Sequence, residues 1–374
     1  MIETREKDFL PLLRPLLLSL IVVFFFAPLV HAQAVIKVSD NVSVRFGALL
    51  QAWADAAQDA TTKGYSENVF MRRMRILIGG QISPNITFFF ETDNPNLGKA
   101  PKNLGGGFIT QDAFVEWKPK SNAFLLDAGL ILPPLCRNCL ESAATLLSLD
   151  YGSFSFTESA ATQSSVGRDT GFQAKGYLAG GHFEYRAAVF QGFRQAASTT
   201  PKRTLGGNAL RTTARLMYNV RDTETGYVYP GIYLANKKIL SFGGGFDQQQ
   251  DYKAYSVDAF VSQPVNKNAV NAELTLLGFD GGTTFPTAIP EQKDATFQAG
   301  YYFAGPKFMP WVRLEKQDFR ATANNPRDNN RQQVGLTWFP NGNNFNIKGA
   351  YSRVDPRAGN TTNEFTVQVQ FFYY

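Results

Sequence analysis

Histidine and cysteine are scarce: the 374 residues hold two of each. His31 lies in the N-terminal segment, so any histidine-based catalysis must rest on His182, beside which no nucleophile motif stands. Most hydrolytic mechanisms are thereby excluded. Cys136 and Cys139 stand in a C-x-x-C spacing with no histidine after the second, which excludes covalent c-type haem attachment. With no further ligand types close by in sequence, neither a metal nor a cofactor is expected. In an oxidising compartment the pair reads first as a small disulfide loop, with free thiols as the alternative.

Long apolar runs are equally rare. Only one occurs, Leu16 to Leu29, preceded by Arg5, Lys7 and Arg14 and followed by Val30-His31-Ala32. This is the pattern of a secretory signal peptide cleaved after Ala32, leaving residues 33–374 as the exported domain. A retained anchor is disfavoured because Pro28 cuts the run short. Without a second apolar run, the exported part crosses a membrane only as a closed barrel, if it crosses one at all. The formal net charge is +6. Arg5, Lys7 and Arg14 are balanced by Glu3, Glu6 and Asp8, so the excess belongs to the exported part. No basic tail or aromatic-interleaved basic motif points to nucleic acid.

What the sequence does have is alternation. In Val42 to Ala54, Val42, Val44, Phe46, Ala48, Leu50 and Ala52 share one face; Ser43, Arg45, Gly47 and Gln51 share the other, interrupted by Leu49 and Trp53. In Arg211 to Val220, Thr212, Ala214, Leu216, Tyr218 and Val220 oppose Arg211, Thr213, Arg215 and Asn219. At the C-terminus Phe365, Val367, Val369, Phe371 and Tyr373 oppose Thr366, Gln368 and Gln370. Period two is the strand signal. Sixteen such segments are predicted, starting near Val42, Phe70, Asn85, Thr110, Ala123, Asp169, His182, Arg211, Ile239, Tyr252, Ala269, Thr296, Phe308, Arg331, Asn344 and Glu364. An even count, apolar faces from end to end and a terminal aromatic strand together predict an all-β transmembrane antiparallel barrel of about 16 strands. Soluble sandwiches and propellers also alternate, but some of their faces would be fully charged.

Short connections such as Ser83-Pro84-Asn85 read as periplasmic turns. Long ones, 94–109, 194–210 and 320–330, read as external loops. The segment 221–238 is long where a short turn is due, which suggests a misplaced strand boundary. The longest connection, 133–168, would be a third external loop folding inward to narrow the lumen, with a helical turn within Leu140 to Leu149. Trp53, Trp117, Trp311 and Trp338 are expected near the membrane interfaces.

Three segments resemble phosphate-selective porins of the O and P type: Gly47-Ala48-Leu49-Leu50-Gln51; Val69 to Gly80, with Arg72, Arg73 and Arg75 in an RRxR cluster; and Val166-Gly167-Arg168-Asp169-Thr170-Gly171-Phe172-Gln173. The resemblance implies a sixteen-stranded trimeric channel in the outer membrane, constricted by its third loop and lined by arginines. The cysteine pair in that loop, the lack of a dense lysine cluster, and Tyr374 one residue beyond the in-phase Tyr373 depart from the family pattern.

Alternation then assigns Arg45, Arg73, Arg75, Lys175, Arg186, Arg211, Arg215, Arg313 and Arg331 to the lumen or its rims. A cation facing mid-bilayer lipid would cost about 2–4 kcal/mol. Arg168 and, in the constriction loop, Arg137 complete the anion-binding candidates. Glu91, Asp127, Asp169, Glu184, Asp258, Glu273 and Glu315 fall on the same side, so pairing across the wall in a general pore competes with an anion path. The expected partners are outer-membrane lipid, lipopolysaccharide, small anionic solutes and two further copies of the chain. A barrel that sheaths a partner protein is the other class this sequence allows.

Overall fold

The computed structural model describes residues 34–154, 159–194, 209–285, 289–320 and 329–374. The expected signal peptide, 1–32, lies outside them, as does most of 194–210. A short strand, β1 (Ala34–Ser39), pairs with β2 (Val42–Gln58). There follow β3 (Tyr65–Ser83), β4 (Ile86–Asp93), β5 (Ile109–Trp117), β6 (Leu125–Ile131), β7 (Asp169–Leu178), β8 (Phe183–Phe190), β9 (Arg211–Asn219), β10 (Ile239–Gln249) and β11 (Tyr252–Val265). The remainder are β12 (Asn268–Asp280), β13 (Gln292–Tyr302), β14 (Phe308–Phe319), β15 (Asn329–Asn341), β16 (Phe345–Pro356) and β17 (Thr362–Tyr373). Each of β2 to β17 pairs antiparallel with the next, and β17 returns to β2 with Glu364 opposite Ala57 and Tyr373 opposite Ala48. The sixteen strands therefore form a closed barrel with no free edge.

The two faces are inverted relative to a soluble protein. Phe172 and Val257, each 63 % exposed, sit in an outer belt with Leu216, Val334 and Leu336. Gln51, Asn271, Gln298 and Thr337 are buried on the inner face. Only a hydrocarbon surround makes such an exterior favourable, and only internal partners make such an interior tolerable. Most long connections lie at one end, the outward one by the usual barrel pattern, and most short turns at the other, with the long 220–238 segment and the two-residue β10–β11 turn as exceptions.

Among the described residues, two connections run through the interior. The β6–β7 loop runs past the wall of β10 and β11, then crosses to β2, β14, β16 and β17. Its backbone has no ladder, so wall side chains supply the donors. The Leu135 carbonyl accepts from Arg215 (3.2 Å) and Ser256 (2.6 Å). Ala143 O accepts from Gln51 (3.0 Å) and Ala144 O from Gln370 (2.8 Å). Leu146 O and Ser148 O both accept from Lys348 Nζ (2.6 Å each). Asp150 O and Tyr151 O accept from Arg313 (2.5 and 3.0 Å). The expected helical turn within 140–149 is replaced by one 3-10 turn at Asn138–Leu140; beyond it the Ala143, Ala144, Leu146 and Ser148 carbonyls are taken by wall donors rather than by helical N–H groups. Cys136 and Cys139 are disulfide-bonded at the start of that turn.

The second inward connection is the β9–β10 segment, 220–238. The strand boundaries at Asn219 and Ile239 stand; the segment is long because it enters the barrel from the turn end. Tyr229 N donates to Leu140 O and Ser142 N to Tyr229 O (2.9 Å each), joining it to the β6–β7 loop. Arg137 donates to both carboxylate oxygens of Glu224 (2.7 Å each) and to Pro230 O (2.9 Å).

Of the four tryptophans, Trp117 and Trp338 point outward near the turn end. Trp53 and Trp311 do not lie at an interface. They are buried inside against Leu147 and Leu149 of the loop, where an apolar loop needs an apolar wall.

Candidate functional site

A β-bulge decides where the arginines of the early strand point. Gln51 pairs with Arg73, but Ala52 pairs with Met71, so Arg72 is the extra residue in β3. A bulge resets the side-chain parity, and here Arg72, Arg73 and Arg75 all reach the lumen. Strict alternation, which leaves Arg72 outside, misses it. A second bulge, with Glu91 opposite Asp112 and Thr92 opposite Thr110, turns Gln111 inward beside Asp112.

Arg72, Arg73, Arg75, Arg168, Arg313 and Arg331 line a cavity of about 420 Å³ on the outer side of the loop, facing only Asp93, Asp150 and Glu364 as carboxylates. Arg73 bonds to Asp150 at 2.5 Å and Arg72 to the same carboxylate at 2.8 Å. Burial alone would raise the Asp150 carboxyl, but the two guanidiniums outweigh it and hold it well below the usual range. Arg75 bonds to Asp93 (2.9 Å) and Glu91 (3.2 Å). Arg168 bonds to Asp112 (3.2 Å). Arg331, with its side chain 23 % exposed, bonds to Glu364 (2.7 Å).

A second cavity, of about 390 Å³, lies on the turn side of the loop. Arg75, Tyr151 and Arg168 belong to both linings and form the neck between them. Below the neck the lining changes to rings: Phe89, Phe114, Tyr227 and Tyr374. Tyr374, the residue past the in-phase terminal aromatic, turns inward, with Arg45 over its ring at 5.3 Å.

The other expected cations face inward but belong to neither lining. Lys175 bonds to Glu116 (2.7 Å) and Asp127 (3.0 Å), Arg211 to Asp247 (2.5 Å) and Arg215 to Asp258 (2.6 Å). Arg186 bonds to Glu184 (2.6 Å) and donates to Gly226 O and Tyr227 O of the inserted turn. Arg137 is fully buried, its guanidinium 3.7 Å from the Phe260 ring centre. These groups hold the wall, the loop and the turn to one another. His182 is likewise a brace, with its Nδ1 2.6 Å from the Asn219 carbonyl oxygen, fastening β8 to β9.

Solved barrels share this architecture. OmpF of Salmonella typhi, determined with daunomycin, is 13 % identical with a TM-score of 0.61, over 91 % of this chain and 100 % of that one. OprB of Pseudomonas putida is 7 % identical with a TM-score of 0.62, over 88 % of this chain and 94 % of that one. OmpT of Vibrio cholerae in its trimer form is 9 % identical with a TM-score of 0.51, over 89 % of this chain and 100 % of that one. At such identities the likeness speaks for the fold. No curated protein matches the sequence. The family model described as phosphate-selective porin O and P matches residues 46–235, the stretch that holds the RRxR cluster, the constriction loop and the inserted turn. The chain belongs to the phosphate-selective porin O and P family and forms an outer-membrane channel.

Proposed function

We propose that this channel prefers anions and passes phosphate or similar small oxyanions by diffusion. The observation that carries the reading is the outer cavity, whose lining holds six arginines and three carboxylates, with Glu91, Asp112 and Glu315 pairing with Arg75, Arg168 and Arg313 from behind that lining. Guanidinium groups stay charged at any working pH and bind oxyanions in bidentate fashion. Several of them along one path supply successive weak sites, so an ion enters and leaves rather than staying bound. Arg72, Arg73, Arg75, Arg168, Arg313 and Arg331 are the residues assigned to this path; Lys175, Arg186, Arg211, Arg215 and Arg137 support it as braces, and Arg45 stands at its inner exit. Export by a signal peptide ending at Ala32 and assembly as a homotrimer in lipopolysaccharide-bearing membrane complete the reading. The trimer form of OmpT supports the assembly.

The sheath alternative loses support from the same geometry: loop and turn meet inside the barrel, and the cavities left beside them are of small-solute size. The test is block of chloride current in a planar bilayer by added phosphate or sulfate. Block in the native protein that weakens several-fold in Arg168→Gln supports the reading; chloride current indifferent to both oxyanions overturns it.

A further inference from the structure

The lining below the neck does not suit a bare inorganic ion. Phe89 and Phe114 lie 5.9 Å apart, Phe114 and Tyr227 4.5 Å, and Phe89 and Tyr374 5.7 Å, so four rings form one continuous surface. Ring faces carry partial negative charge and replace none of the hydration that a phosphate loses. The carboxylates of this chamber are already engaged: Glu91 by Arg75, Asp112 by Arg168 and the Tyr227 hydroxyl (2.5 Å), Glu116 by Lys175 and Glu141 by Arg137 (3.9 Å). They disfavour a second negative charge inside it. The neck guanidiniums Arg75 and Arg168 stand directly above.

We propose that the chamber is a binding site for monoanionic organic acids with a flat unsaturated body, aromatic carboxylates being the simplest. The carboxylate sits on Arg75 and Arg168 at the neck, and its ring lies among Phe89, Phe114, Tyr227 and Tyr374. The volume of about 390 Å³ is in the range of small-molecule sites. The idea rests on the anion-preferring reading and adds the class of solute.

The experiment uses the refolded mature barrel in a planar bilayer with chloride as carrier. Benzoate and acetate share a head group and a charge and differ in the ring. Benzoate is expected to halve the current at about one tenth of the acetate concentration, the gain of one well-stacked ring. Phe89→Ala and, as a milder second variant, Phe114→Leu should shrink that ratio toward one while acetate block is unchanged. Equal potency of the two acids in the native channel, or a ratio untouched in both variants, overturns the proposal. If the chloride current itself proves not to be anion-selective, the anion-preferring reading falls first. An anion-selective channel with equal acid potencies defeats only the aromatic chamber.

Discussion

Arg137 of the constriction loop and Glu224 of the inserted turn form a two-point ion pair, 2.7 Å at each contact, with both side chains almost wholly buried. A connection from the outer end of the barrel is thus tied to one from the inner end. Removing one partner of a buried pair strands the other charge, at a cost of about 3–5 kcal/mol. Glu224→Ala should therefore loosen the loop and give a larger, flickering single-channel current. Arg137→Met with Glu224→Leu should recover most of the native behaviour. A steady native current in Glu224→Ala would count against the tie.

At Gly245 of β10 the loop backbone packs directly on the wall. A Cβ there would overlap the Leu135 carbonyl oxygen, whereas one at Gly349 of β16 would meet nothing within 4 Å. Gly245→Ala is expected to push the loop off β10 and raise conductance, with the heat-modifiable barrel intact. Gly349→Ala should leave both unchanged. The two variants, recorded side by side, separate loop docking from general glycine effects.

Glu141 gives the loop a pH dependence. Burial, then the neighbouring Glu273 and more weakly Glu224, raise its carboxyl well above the usual range, against the opposing pull of Arg137. The docked loop therefore holds a proton that a free carboxyl releases at about pH 4.3. Its stabilisation is complete below the ordinary value and is lost as pH rises toward the docked value. Current noise should increase as pH rises above the ordinary carboxylate range in the native channel. Glu141→Gln, fixed in the neutral form, should be quiet throughout; equal noise in both would refute the assignment.

The bulge at Arg72 makes a counterintuitive claim. By plain alternation Arg72 faces lipid, and its removal should improve the barrel. By the observed register it lines the outer cavity, and Arg72→Ala should lower anion preference about as much as Arg331→Ala. Reversal potentials of the two variants decide between them.

Most strand starts were legible: Asp169, Arg211, Ile239, Tyr252 and Phe308 begin strands as alternation predicts. The start expected near Thr296 lies four residues after the observed one at Gln292, because the buried polar Gln292 and Asp294 and the exposed Lys293 between them look like turn residues when no apolar neighbour frames them. What alternation could not show was anything set by distant contacts. The inward path of 220–238 depends on Arg186 and Arg137, and the burial of Trp53 and Trp311 depends on Leu147 and Leu149. The bulge at Arg72 leaves no mark in periodicity, since one extra residue only shifts the phase. Inward direction was readable for Lys175, Arg211 and Arg215; their engagement by Asp127, Asp247 and Asp258 was not.

The most direct measurement is the zero-current potential of the native barrel in a planar bilayer under a potassium chloride gradient. The arginine-lined neck requires a potential of the anion-selective sign, diminished in Arg75→Gln and Arg168→Gln. A potential of zero or of the cation-selective sign in the native protein would contradict the account.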